Sequence, residues 1–303
     1  MRALLVVNPA ATTTSARTRE VLASALETDL KLEVAHTRHR GHAAELAAEA
    51  RADGLDLVVV LGGDGTVNEV VNGLLGGVDP TDVPDVPDLA VVPGGGTNVF
   101  SRALGLPRDP VEAARRLVSA STRRITLGKV NGRRFAFAAG IGIDAEAVRR
   151  LDVHGRTVED GRAGNIRFAW ELARLLAERR GRFGASLEVL GQGLAAFALV
   201  ANCDPYTYAG PVPIRIAPEA RFELGIDLVA PRAVSPFALP RLLGYAVLGR
   251  GQTSAGDILY GHDLDRIEIV CDGPMPLQVD GEDLGDVTSA VFEAERSAVT
   301  VLN

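Results

Sequence analysis

Gly62-Gly63-Asp64-Gly65-Thr66 follows the apolar run Leu57 to Leu61 and precedes a helical period, a placement that turns backbone N–H groups toward an anion. The dipole of the following helix adds partial positive charge at the same place. Glycines let the backbone approach phosphate oxygens with no Cβ in the way, whereas Asp64 between them favours phosphate only through a cation or a hydroxyl proton. Alone, this loop also fits a tight turn between strand and helix. A second loop, Pro93-Gly94-Gly95-Gly96-Thr97-Asn98, ends the next apolar run. Both glycine turns then open onto one edge of a parallel sheet, where such sheets bind their ligands. Neither is GxxxxGK[ST], and neither is GxGxxG with an acidic residue about 20 positions on, so a P-loop NTPase and a Rossmann dehydrogenase are poor readings.

Other reactive side chains carry less. Asp280-Gly281-Glu282 reads by itself as a hairpin turn flanked by carboxylates. His36, His39 and His42 surround Gly41 without helical ligand spacing, which favours loop or helix-cap histidines over a metal site. His154 and His262 stand singly, and Cys203 and Cys271 have neither a CxxC partner nor a histidine placed to activate them. From Gly161 to Gly184 there are six arginines, Arg162, Arg167, Arg174, Arg179, Arg180 and Arg182, against Glu171 and Glu178. With Phe168, Trp170, Leu172, Leu175 and Leu176 between them, the segment fits either an anionic membrane surface or an amphipathic helix with its arginines in water. The apolar set Phe237, Leu239, Leu242, Leu243, Val247 and Leu248 presents the same choice.

The elements that must position these residues follow from the hydrophobic periods. Strand-like runs at Ala3 to Val7, Leu32 to Ala35 and Leu57 to Leu61 alternate with helical periods at Thr18 to Leu26 and His42 to Ala52. Thr66 with Glu69 reads as a capping box opening a helix whose stripe is Val67, Val70, Val71, Leu74 and Leu75. Leu89 to Val92 is the next strand, and a helix from Thr97 to Leu104 closes at Gly105 and Pro107. This alternation predicts an α/β domain, a parallel sheet with flanking helices, over residues 1–121. After it Asn131-Gly132 signals a hairpin, with further strands at Leu187 to Leu190, Ala196 to Val200, Ile226 to Val229 and Ile267 to Val270. Residues 122–303 are read as a mainly antiparallel β-sandwich domain with helices at Ile166 to Arg180 and Pro236 to Leu248, the extreme C-terminus returning to the first domain.

Composition bounds these readings. The 303 residues are 47% hydrophobic and 23% charged, which excludes disorder over most of the length. A net charge of -7 gives no global basic field for nucleic acid. No run of about 18 apolar residues predicts a membrane span. Two isolated cysteines fit a reducing cytoplasm better than a stapled secreted fold.

The run Gly62-Gly63-Asp64-Gly65-Thr66-Val67-Asn68-Glu69-Val70-Val71-Asn72-Gly73, followed by Pro93 to Pro107, closely resembles the diacylglycerol kinase catalytic domain family of lipid kinases, relatives of the sphingosine kinases. The likeness extends to Asn8-Pro9, to Thr37 with Gly41-His42-Ala43, to Gly140-Ile141-Gly142-Ile143-Asp144-Ala145, and to Val279-Asp280-Gly281-Glu282. It implies an NAD-kinase-like two-domain fold, ATP and Mg²⁺ as cofactors, and a membrane lipid as acceptor, most simply diacylglycerol giving phosphatidic acid, with the protein cytoplasmic and peripheral at the inner membrane face. Nucleotide contacts are implied at Asn8, Pro9, Thr37, Gly62, Gly63, Asp64, Gly65, Thr66, Val67, Asn68, Gly95, Gly96 and Thr97. Glu282 matches the proposed base, with Asp280 beside it, and Asp64 is the alternative carboxylate for that role or for holding a metal-bound water.

Two departures stand out. The family's Asp-Gly-x-Leu-Asp metal stretch reads Glu223-Leu224-Gly225-Ile226-Asp227, so an Mg²⁺ site would rest on Glu223 with carbonyls of Ala220 and Gly225. The usual Gly-Thr-Gly-Asn-Asp-Phe reads Gly96-Thr97-Asn98-Val99-Phe100 after an extra glycine. Two other readings accompany the lipid kinase. NAD kinase shares the Gly-Gly-Asp-Gly-Thr loop, but here Asn68-Glu69 follows that motif at once instead of lying on a later loop. A regulatory nucleotide-binding protein without catalysis is motivated by Leu224 and the altered loop. The acceptor lipid and the oligomeric state, a dimer included, stay open at this level.

Overall fold

The computed structural model describes residues 1–11, 22, 31–77, 86–117, 119–153 and 163–303. They divide into two units, one from Met1–Ile125 with Ser297–Asn303 and one from Thr126–Thr157 with Arg162–Arg296.

The first unit is built on parallel strands β1 (Arg2–Val7), β2 (Lys31–His36), β3 (Leu57–Gly62) and β4 (Asp88–Pro93), paired in the order β2, β1, β3, β4. Every residue of β3 is buried, as a central strand covered on both faces requires. Each of Val58, Val59, Val60 and Leu61 is 0% exposed, and such burial stabilises by about 1.5–3 kcal/mol per side chain. Edge strand β2 is correspondingly open. The last residues of the chain lie parallel to β4, with Val301 opposite Leu89.

Helices cover this sheet. Helix α1 (His42–Ala52) buries Ala43, Ala47 and Ala50 on one stripe, and α2 (Asp64–Leu74) buries Val67, Val70, Val71 and Leu74. The expected capping box is not formed. Helix α2 starts two residues earlier, at Asp64, and Glu69 instead accepts the N–H groups of Gly41 and Ala43 at 2.9 and 3.2 Å, capping α1. Tertiary contact has taken over a pattern that is local in the sequence. Helix α3 (Val99–Ala103) is shorter than the expected Thr97 to Leu104, because Asn98 sits in the left-handed region at φ 50°. Helix α4 (Pro110–Leu117) completes the unit. The helix expected at Thr18 to Leu26 lies, except for Leu22, outside the described residues, as do His154 and Arg162.

The second unit is mainly antiparallel. It contains β5 (Thr122–Val130), whose first residues belong to unit one, then β6 (Arg133–Phe135), β7 (Ala138–Ile141), β8 (Leu187–Val189), β9 (Gly193–Ala195) and β10 (Ala198–Ala201). A separate ribbon, β11 (Thr207–Ala209) and β12 (Val212–Ile214), precedes β13 (Ile226–Pro231), β14 (Ile258–Leu264), β15 (Arg266–Val279) and β16 (Glu282–Leu302). The main order is β14, β13, β10, β7, β15, β16, with β5 paired to β16 and β6 to β5, and with β8 paired to β15 and β9 to β8. Its core includes Phe135 and Phe292, edge to face with ring centres 6.5 Å apart. Asn131-Gly132, with φ 47° and 88°, closes β5 on β6, and Asp280-Gly281, with φ 48° and 79°, closes β15 on β16. Both are the two-residue turns in which two positive φ angles match the strand twist. Helices α5 (Ile143–Val153), α6 (Ala163–Glu178) and α7 (Leu239–Leu248) belong to this unit. The helix pattern of α4 and α5 was not read from the sequence, α5 being masked by its glycine-rich approach through Gly140 and Gly142.

Candidate active site

The two glycine loops meet. Strands β3 and β4 run side by side with Gly62 opposite Pro93, and the Gly94 N–H donates to the Gly62 carbonyl at 2.8 Å. A Cβ on Gly95 would come within 2.7 Å of the Gly63 Cα, so the loops touch backbone to backbone and the Gly95 position requires glycine. Asp64 binds them further, accepting the N–H groups of Val99 at 3.0 Å and Phe100 at 3.1 Å and thereby capping α3. Asn98 closes its own loop, since its Oδ1 accepts the Gly95 N–H at 2.9 Å while its Nδ2 donates to the Gly95 carbonyl at 2.7 Å. From the end of β1, Asn8 accepts the Ala10 N–H and donates through Nδ2 to Thr66 Oγ1 at 2.9 Å. Thr37 is held at the end of β2 by donating its N–H to Val7. Asn8, Thr37, the Gly62 to Asn68 turn and the Gly95 to Thr97 turn thus all belong to unit one, at the C-terminal ends of its parallel strands or in the helical turn that follows β3. That edge presents helix N-termini and backbone donors, the arrangement that receives phosphates.

In unit two the Asp280-Gly281-Glu282 turn is also over-determined. Asp280, 8% exposed, accepts the N–H groups of Ala136, Phe137 and Ala138 at 2.7, 3.0 and 3.1 Å. Its carboxylate is therefore an anchor for β6 and β7. Glu282, the first residue of β16, pairs with Arg133 at 3.2 Å and stays partly exposed. Behind the turn, the Gln278 Oε1 accepts the Gly281 N–H at 2.8 Å, while its Nε2 donates to Asp144 Oδ2 at 2.9 Å. Tyr206 donates its hydroxyl to the same Asp144 oxygen at 2.6 Å. Burial pushes the Asp144 carboxyl above its ordinary range, against the pull of Tyr206 and Gln278.

The residues of the expected Mg²⁺ shell have partners within the chain. The Ala220 carbonyl already accepts from the Arg221 guanidinium at 2.7 Å, and the same group reaches the Pro218 carbonyl at 2.9 Å. Glu223 is exposed, and the Gly225 N–H is engaged by Asp263. Asp227, at the end of that stretch, is fully buried with His262 Nδ1 at 3.0 Å from both oxygens, and burial raises its pKa despite that partner. This gives His262 a structural role. His39, His42 and Glu45 do approach within 4.8 Å of one another, yet His42 Nδ1 accepts the Arg38 N–H and His39 Nδ1 bonds the Arg40 carbonyl, so the rings order the loop before α1. Both cysteines are buried and neither is in a disulfide.

Residues 2–130 match the family described as the diacylglycerol kinase catalytic domain. That stretch is less than half of the chain. The paired glycine loops are its centre, and the matched stretch ends at the Asn131-Gly132 turn. A diacylglycerol kinase of Bacillus subtilis is 46% identical over 103 residues, 34% of this chain and 32% of that protein. A diacylglycerol kinase of Staphylococcus epidermidis is 36% identical over 147 residues, 46% of this chain and 43% of that protein. The chain thus spans from about a third to less than half of the length of these relatives. A solved diacylglycerol kinase structure from Bacillus anthracis superposes with a TM-score of 0.69 at 24% identity, over 99% of this chain and 96% of that one, which shows the fold. Outside the catalytic-domain match, Arg133 beside Glu282 and the Gln278–Asp144–Tyr206 chain were not singled out from sequence, since their partners lie 62 to 149 positions away. No periodicity marks such pairs.

Proposed function

We propose that the chain is an ATP-dependent lipid kinase, transferring the γ-phosphoryl group to a lipid hydroxyl, most simply that of diacylglycerol, to give phosphatidic acid and ADP. The observation that carries this reading is the backbone contact of the two glycine loops at Gly63 and Gly95, which builds one phosphate-receiving edge from two strand ends. Phosphoryl transfer needs positioning and charge neutralisation more than covalent help, and backbone N–H groups at a helix start supply both to a nucleotide taken as its magnesium complex.

Within this reading Asn8, Thr37, Gly62 to Asn68 and Gly95 to Thr97 hold the nucleotide. The acceptor oxygen forms its bond to the γ-phosphorus as the bond to the bridging oxygen breaks, and Glu282 takes the hydroxyl proton. Arg133, 3.2 Å away, orients that carboxylate. Asp64, with its oxygens turned to two amides, is a positioning residue rather than the base. The acceptor is a membrane lipid, which places the protein at the inner face of the membrane where ATP is present. Among the described residues no helix is long and apolar enough to cross a membrane. The direct test is ADP release from ATP with and without dispersed diacylglycerol: lipid-dependent release supports the proposal, and release indifferent to lipid overturns it.

A further inference from the structure

Unit two contains a cavity of about 410 Å³, within the range of small-molecule and lipid sites. Its lining includes the apolar Ile143, Leu175, Phe183 and Met275 and the exposed Arg179 and Arg182. The nearest acid in the lining, Glu146, is already paired with Arg150 at 3.1 Å, and Glu178 is shared by Arg150 and Arg174. Among the described residues neither Arg179 nor Arg182 has a carboxylate partner; Arg179 lies over the Phe183 ring at 5.4 Å. Two guanidinium groups and several apolar side chains lining one cavity suit a molecule that carries both an anionic group and hydrocarbon.

The segment beside this cavity is unusually apolar and exposed. Phe183 and Val234 exchange backbone hydrogen bonds at 3.0 and 2.9 Å, and three residues on, Phe237 is 94% exposed. Helix α7 follows with no buried residue, and Leu243, Val247 and Leu248 are exposed. From Arg232 to Gly256 there are three arginines and no acidic residue, and of the three Arg241 is paired with Asp257, the next residue of the sequence. An apolar helix lacking acids and flanked by arginines has the character of an element that lies in the interface of an anionic bilayer.

We propose that the cavity binds an anionic glycerophospholipid, its phosphate between Arg179 and Arg182 and its hydrocarbon against Phe183 and Met275, with Phe237 and α7 resting on the bilayer that supplies it. This goes beyond the kinase reading and needs no turnover. The test uses the full chain without ATP. Titration calorimetry compares dihexanoylphosphatidylglycerol, which is not the proposed product, with dihexanoylglycerol and with inorganic phosphate. The anionic lipid should bind about tenfold tighter than either, an advantage lost in Arg179→Gln/Arg182→Gln and retained in Arg179→Lys/Arg182→Lys. In parallel, Phe237→Ser/Leu248→Ser should sediment about tenfold less with vesicles of phosphatidylglycerol and phosphatidylcholine than the unmodified chain does. Equal affinity for the neutral lipid, phosphate binding as tightly as the lipid, or indifference to either pair of substitutions would overturn the assignment.

Discussion

The Asp64 carboxylate accepts the backbone N–H groups of both Val99 and Phe100, at 3.0 and 3.1 Å, so the single charge of the first glycine loop holds the helix that begins after the second. An asparagine offers one acceptor oxygen where the carboxylate offers two. Asp64→Asn should therefore cost about 1 kcal/mol, as loss of a helix cap does, and lower Tm by roughly 3 °C. Because the second loop is released from the first, KM for ATP should rise with it. An unchanged melting curve with activity abolished would return Asp64 to a chemical role.

Asp280 satisfies three buried amides. Removing a buried charged acceptor leaves each of them without its partner, so Asp280→Ala should destabilise by about 3 kcal/mol or more in urea unfolding. Asp280→Asn should fall between, since it keeps one acceptor. A loss of activity in Asp280→Ala without loss of stability would show that this residue acts on substrate.

Glu282→Gln preserves size while removing the basic lone pair. Its effect should fall on kcat, by about 10² to 10⁴-fold, with KM for ATP unchanged. Retention of more than about a tenth of kcat would remove Glu282 from the proton transfer.

Much of this architecture is legible in the sequence because it is local. Helix α1 occupies His42–Ala52 as its alanine stripe predicts, and Asn131-Gly132 and Asp280-Gly281 turn where their positive φ preferences place them. What escaped is non-local. Thr66 and Glu69 have the spacing of a capping box, but Glu69 finds better use 28 positions back at Gly41. The expected metal carbonyl at Ala220 is occupied by the next residue, Arg221, and no motif signals which oxygen a flexible guanidinium will take. Asp144 falls inside a glycine-rich motif, yet its partners Tyr206 and Gln278 arrive from other strands and loops.

Asp144 gives the chain a dated pH response. Burial raises its folded-state pKa above the value of an unfolded aspartate, so the folded chain holds this proton more tightly. Its contribution to stability is fully present below the unfolded pKa of about 3.9 and is lost as pH rises through the raised folded value. Stability of the unmodified chain relative to Asp144→Asn should therefore increase as pH falls through that window. A difference in unfolding free energy that stays constant with pH would mean that Asp144 does not titrate on folding.

The most direct measurement is transfer of labelled γ-phosphate from ATP to a panel of lipids in mixed micelles, with NAD as the competing acceptor. The account predicts label in a lipid product, first of all phosphatidic acid from diacylglycerol, dependent on the intact Gly62 to Thr66 loop and lost in Glu282→Gln. Label appearing in NADP, or in no acceptor while ATP still binds, would contradict it.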